Sequence, residues 1–132
     1  MIGVLVITHE QLGEAYRSLY HHFFGSGSPQ HIRLTGVHPD ENPERVIERA
    51  QEKIAEMGCT DGILILSDIF GATPCNAARR LICENKTAML TGLNAPMMVK
   101  AAQYAGKSDN LAEFVQLVKK AGLDGIMEVP AL

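Results

Sequence analysis

Residues 62–68, GILILSD, form an unbroken aliphatic run closed by a serine and an aspartate. A strand with one wet face alternates polar and apolar side chains, whereas a central parallel strand is covered on both faces and reads as continuous hydrophobic sequence. The run therefore predicts a buried parallel strand. Parallel neighbours need crossover connections, so helices must alternate with the strands along the chain.

They do. Residues 2–8 are a second apolar run rich in β-branched side chains, after which Leu12, Ala15, Tyr16, Leu19 and Phe23 recur at helical spacing up to Gly25. Residues 31–37 place Ile32 and Leu34 in alternation. Asn42-Pro43-Glu44 then reads as an N-cap, an N1 proline and a first-turn acid. This second helix carries Val46, Ile47, Ala50 and Ile54 on one face and is expected to stop at Gly58. Thr73-Pro74 repeats the cap-plus-proline signal, with Ala77, Ala78, Leu81 and Ile82 facing inward and Asn85 as the stop. Residues 86–91 form the fourth strand, Pro96 opens a helix running to Ala105, and residues 110–121 form a fifth helix with Leu111, Phe114, Val115 and Val118 on one stripe. Residues 126–129 read as a short last strand, which follows two successive helices and has no evident place in the sheet.

This order predicts an α/β fold: a doubly wound open sheet of four parallel strands with right-handed crossovers, plus the short C-terminal strand. A chain of 132 residues is the size of one domain, expected to span 1–132. The net charge is −3 and the 12 basic residues are scattered, which leaves no electrostatic footprint for nucleic acid or an anionic membrane surface. The first residues, MIGVLVITHE, lack a basic leader and their apolar run is too short to span a bilayer, so a cytoplasmic location is expected. Cys59, Cys75 and Cys83 form no CxxC pair and suit a reducing compartment, as small buried hydrophobes.

In an open parallel sheet, ligands bind beyond the carboxyl ends of the strands. The residues there are Thr8-His9-Glu10, His38-Pro39-Asp40, Ser67 through Pro74, and Thr91 through Pro96. Neither GxGxxG nor GxxxxGKS follows a strand, which removes the usual dinucleotide and P-loop readings. His9, His21, His22, His31 and His38 form no HExxH, so neither metal nor cofactor is expected. His21-His22 reads as a partly solvated flank of the first helix, and His38 with Asp40 as a polar turn.

His9 and Asp68 remain, at the ends of strands expected to be adjacent. A histidine nucleophile needs one ring nitrogen free and the other held as a donor, which a buried carboxylate achieves by accepting the Nδ1 proton. Helix N-termini beside His9 and at Thr73-Pro74 would suit a phosphoryl group, the Thr73 hydroxyl could add a donor, and Gly71 would let the backbone approach. The residues alone also allow a plainer reading, in which His9 is a helix-capping or core histidine and Asp68 a turn residue.

The stretches ITHEQLGEAY, SDIFGATPCNAA and TGLNAPMM, in that order at the ends of three strands, resemble enzyme IIA of the mannose family of the bacterial phosphoenolpyruvate-dependent sugar phosphotransferase system (PTS), over essentially the full chain. The most specific motif, D-[LI]-x-G-[GA]-[ST]-P, is matched by Asp68, Ile69, Gly71, Ala72, Thr73 and Pro74. The resemblance implies that His9 takes a phosphoryl group from the histidine phosphocarrier protein HPr and passes it to a IIB component. Asp68 would orient the histidine; Thr73, Gly71 and Ala72 would contact the phosphate. It further implies a homodimer in which the C-terminal strand crosses to the partner's sheet, and indirect service to a membrane IIC/IID permease. The third motif marks Asn94 and Met97 as candidate docking residues, with core and rim packing as the plainer role for the methionines. Glu10 stands where the family usually has glycine, and Ala72 where a second glycine is usual. With no IIB segment following, the acceptor is expected to be a separate polypeptide. Two other readings share the histidine: a phosphorylation-dependent regulatory protein without a permease, and the phosphocarrier subunit of a dihydroxyacetone kinase.

Overall fold

Four strands hydrogen-bond side by side in the order β2-β1-β3-β4, all parallel: β1 (Gly3–His9), β2 (Ile32–Val37), β3 (Ile63–Ser67) and β4 (Thr87–Leu90). Among the described residues, five helices connect or follow them: α1 (Leu12–Phe24), α2 (Pro43–Met57), α3 (Thr73–Arg79), α4 (Ala95–Tyr104) and α5 (Leu111–Asp124), with a 3-10 turn at Ala105–Lys107. The computed structural model describes residues 1–25, 31–59, 61–69, 73–82 and 86–132.

The period of two along the strands sorts the core into two layers. Val4, Val6, Ile32, Leu34, Leu64 and Leu66 pack with Tyr20 of α1, Met98 and Ala101 of α4, and Phe114 and Val118 of α5. The alternate residues Leu5, Ile7, Val37, Ile63 and Ile65 pack with Val46, Ile47 and Ala50 of α2 and Ala77 and Ala78 of α3. Val4, Leu5, Val6 and Ile7 are completely buried. Each such side chain contributes about 1.5–3 kcal/mol, more than a helix cap at about 1 kcal/mol, so burial fixes the β1 register. Caps then set the helix ends: the side chains of Asn42 and Asn110 accept from the backbone N–H of Glu44 and Glu113, and Gly58 closes α2 in the left-handed conformation.

Within the single chain, residues 126–129 pair with no strand, and the segment leaves α5 with Ile126, Met127 and Val129 largely exposed. Two expectations are corrected. On α1 the buried side is centred on Gly13 and Tyr20, while Leu12 and Phe23 face outward, since Tyr16 belongs to two overlapping helical stripes and packing selects one. Ile82 is exposed because α3 ends at Arg79 and the chain continues in tighter turns. The stop expected at Asn85, and Cys83, lie outside the described residues. Cys59 and Cys75 are unpaired thiols. Among the described residues, no helix is long and apolar enough to cross a membrane.

Candidate functional site

The chain runs outward from β1 to β2, then returns to build β3 on the other side of β1. That reversal opens a crevice between the carboxyl ends of β1 and β3, the place where open α/β sheets bind ligands. His9 is the last residue of β1 and Asp68 immediately follows β3, so the two sequence-predicted residues flank this crevice.

Asp68 Oδ2 accepts two hydrogen bonds from His9, one from its backbone N–H at 2.9 Å and one from ring Nδ1 at 2.8 Å. Asp68 Oδ1 accepts from the backbone N–H of Ile69 at 2.9 Å. Burial by itself would raise the Asp68 carboxyl, but the hydrogen bonds from His9 and Ile69, with the imidazole charge, outweigh it and hold the group below its ordinary value. The carboxylate is therefore ionised at neutral pH and can only accept, which places the proton on Nδ1 and leaves Nε2 with its lone pair. The His9 side chain is 46% exposed and that of Asp68 only 6%. A fixed base meets a nitrogen that solvent, or a partner, can reach.

The surrounding backbone is built to hold this pair. Buried Thr8 turns its hydroxyl to the backbone N–H of Gly13 at 2.9 Å, taking up one of the donors that the first turn of α1 cannot satisfy. Glu10 then takes a left-handed conformation, φ 38°, and its N–H donates to Val37 O at 3.0 Å. On the far side, Tyr16 of α1 donates its hydroxyl to Leu93 O at 3.1 Å, while Gly92 and Leu93 donate their N–H groups to Asp68 O and Ser67 O. Burial, and then the Asp68 charge, push the Tyr16 phenol up, so the carboxylate field reaches this side chain. Tyr16 and Thr8 were legible only as an apolar-stripe member and a strand end; their polar roles needed the third dimension.

The other sequence-singled residues fall as follows. Thr73 opens α3, and Gly71 and Ala72 lie outside the described residues. Asn94 caps α4, its Oδ1 accepting from Met97 N–H and its Nδ2 donating to Gly122 O, both at 3.1 Å. Met97 is buried against Gly122 of α5, where a Cβ would overlap its side chain, so packing accounts for both. His38 and Asp40 stand exposed in the turn after β2. His21 and His22 occupy the last turn of α1, and His31 precedes β2 at the opposite, amino end of the sheet. Among the described residues, no group of three or more histidines, cysteines or acids could hold a metal ion.

Residues 3–119 match the EIIA-man family model, described as the PTS system fructose IIA component. The chain is 28% identical over 106 residues to the mannose-specific EIIAB component of Escherichia coli K12, a match covering 80% of this chain and 33% of that protein. It is 26% identical over 107 residues to the sorbose-specific EIIA component of Lacticaseibacillus casei, covering 77% and 72%. The chain thus spans about a third of the length of the first of these relatives. The fold is that of the phosphotransferase system component EIIA from Streptococcus agalactiae, with a TM-score of 0.84 at 20% identity over 98% of both chains. A central crevice with a carboxylate-held histidine, on this fold and with this family match across most of the sequence, has one consistent assignment: the chain belongs to the mannose-type EIIA family of PTS phosphotransfer proteins.

Proposed function

We propose that this chain is a phosphocarrier that accepts a phosphoryl group from phospho-HPr on Nε2 of His9 and hands it to a IIB component for sugar uptake by a IIC/IID permease. The observation that carries the reading is the double hold of Asp68 on His9, backbone and ring, which leaves Nε2 without a hydrogen-bond partner among the described residues. The lone pair on Nε2 attacks phosphorus as the bond from phosphorus to the donor's histidine nitrogen breaks. The electron pair of that bond stays on the donor nitrogen. Asp68 stabilises the imidazolium-like charge that develops on His9, and transfer onward reverses the same step.

The developing phosphoryl charge lies beside the first turn of α1, which begins three residues after His9. By the family motif, Gly71, Ala72 and Thr73 are assigned to phosphate contact. No cofactor takes part, residues 1–132 act as one EIIA domain, and the protein works in the cytoplasm.

We further assign residues 126–132 to a homodimer contact in which the segment crosses to the partner's sheet. β4 is an edge strand only half-buried, beside a cavity of about 450 Å³ lined by Met89, Leu90, Lys119, Leu123 and Ile126, and the exposed apolar tail adjoins it. Truncation after Gly125 is expected to give monomers in sedimentation; dimers persisting in the truncated protein would remove this assignment. For the main reading, incubation with phosphoenolpyruvate, enzyme I and HPr is expected to give an acid-labile adduct that is lost in His9→Ala. An adduct that survives this substitution would sink it.

A further inference from the structure

The turn that carries His9 is held from two sides, and Asp68 is only one of them. On the β2 side, Thr8 pairs with Gly36 and His9 with Val37, and Glu10 N–H donates to Val37 O at 3.0 Å. The Glu10 carbonyl lies so close over Gly36 that a Cβ there would overlap it. The left-handed φ of 38° at Glu10 is a conformation that a non-glycine residue keeps only where its surroundings over-determine it. Gly36 and Val37 are those surroundings, so whatever fixes them fixes the turn.

Arg49, on α2, does so. Its guanidinium spreads over three acceptors: Nη2 donates to Gly36 O at 3.0 Å, Nε to Thr35 Oγ1 at 3.2 Å, and Nη1 to the carboxylate of Glu41. Glu41 in turn accepts the backbone N–H of His38 at 3.2 Å, so the end of β2 and the turn after it are gathered onto one planar fork. An exposed ion pair adds little, but the Glu41 side chain is 14% exposed and two further acceptors share the cation. The hydrogen bond from Arg49 outweighs the upward push of burial and, with the His38 N–H, leaves the Glu41 carboxyl below its usual range, and that bond likewise raises Arg49.

We propose that Arg49 is a positioning residue for phosphoryl transfer, holding Gly36 as the seat on which the His9–Glu10 turn rests. The inference rests on the reading of His9 as phosphoryl acceptor. A nucleophile displaced by a fraction of an ångström loses alignment with the phosphorus, and misplacement of about 1 Å costs on the order of a hundredfold.

Single-turnover transfer from phospho-HPr tests it, with the donor varied through saturation. Arg49→Met and Gly36→Ala are each expected to lower the maximum rate about tenfold with the half-saturating donor concentration unchanged, as for an interaction realised only in the transition state. Arg49→Lys keeps a cation beside Glu41 but loses the fork, and is expected to fall about threefold, between Met and wild type. That variant carries the test if Arg49→Met does not fold. Amide signals of His9 and Glu10 should shift in all three variants. A folded Arg49→Lys or Arg49→Met with the wild-type maximum rate, or a loss confined to half-saturation, would overturn the proposal. A wild-type protein that takes no phosphoryl group would instead remove the phosphocarrier reading itself.

Discussion

Replacing Asp68 by asparagine keeps the shape of the side chain and removes its charge, and the geometry gives the amide no satisfactory orientation. Two donors from His9 converge on Oδ2, and the Ile69 N–H points at Oδ1. With the amide oxygen toward His9, the NH2 group faces the Ile69 N–H. With the amide reversed, NH2 faces the His9 backbone N–H and can bond the ring only when Nδ1 is bare, which moves the ring proton to Nε2 and blocks attack. A hydrogen bond to a charged group contributes about 1.5–3 kcal/mol against about 1 for a neutral one, so the ring contact alone loses about 0.5–2 kcal/mol. At 1.36 kcal/mol per decade that slows transfer about two- to thirtyfold, and the fraction of rings in the wrong tautomer adds to it, giving an expected loss of about ten- to a hundredfold. Rapid-quench measurement of phosphoryl transfer from phospho-HPr reads the rate, with circular dichroism to show that the fold is kept. Transfer within twofold of wild type by a folded Asp68→Asn protein would rule out this role for Asp68.

Other expectations follow from the same contacts. Glu10→Gly relieves the left-handed strain, offset by the greater chain entropy of glycine, so stability should change by less than about 1 kcal/mol. Loss of its charge should speed transfer about two- to fivefold at low ionic strength, an advantage that shrinks in about 0.5 M salt; slower transfer by Glu10→Gly would contradict this. Tyr16→Phe removes the donor to Leu93 O and is expected to cost about 1 kcal/mol in urea unfolding, so an unchanged midpoint would count against that bond. Because the Asp68 carboxyl lies below its ordinary value in the folded protein, its stabilising share is fully present above about pH 4 and is lost as the pH falls through the folded-state value. Unfolding free energies measured between about pH 6 and 2 should therefore fall less steeply in Asp68→Asn than in wild type.

What was readable in the sequence was what is decided locally. GILILSD is continuous because both faces of β3 are covered, and Asn42, Gly58 and Asn110 mark helix ends through bonds to their own neighbours. That His9 and Asp68 would meet was legible because both stand at the ends of central strands, and sheet topology sends such residues to one crevice. What was not readable is non-local. Residues 126–129 carry a strand pattern, but a strand needs a neighbour, and the single chain offers none. The two stripes of α1 share Tyr16, and only packing against α4, β1 and β2 chooses between them. Arg49 and Glu41 are ordinary charges of a solvated helix and loop until β2 brings Gly36 and Thr35 under the same guanidinium. The left-handed turn at Glu10 has no local signal at all, because the residue that favours it, glycine, is absent. That conformation gives a physical reason for the glycine usual at this position in the family.

An Asp68 carboxylate that holds Nδ1 directs phosphorylation to the opposite nitrogen of one histidine. Nitrogen-15 and phosphorus-31 NMR of the phosphorylated protein measures this directly, through the coupling between the phosphoryl group and the ring nitrogen that bears it. The expected result is a single adduct on Nε2 of His9 with Nδ1 still protonated. A phosphoryl group on Nδ1, or on His21, His22, His31 or His38, would contradict it.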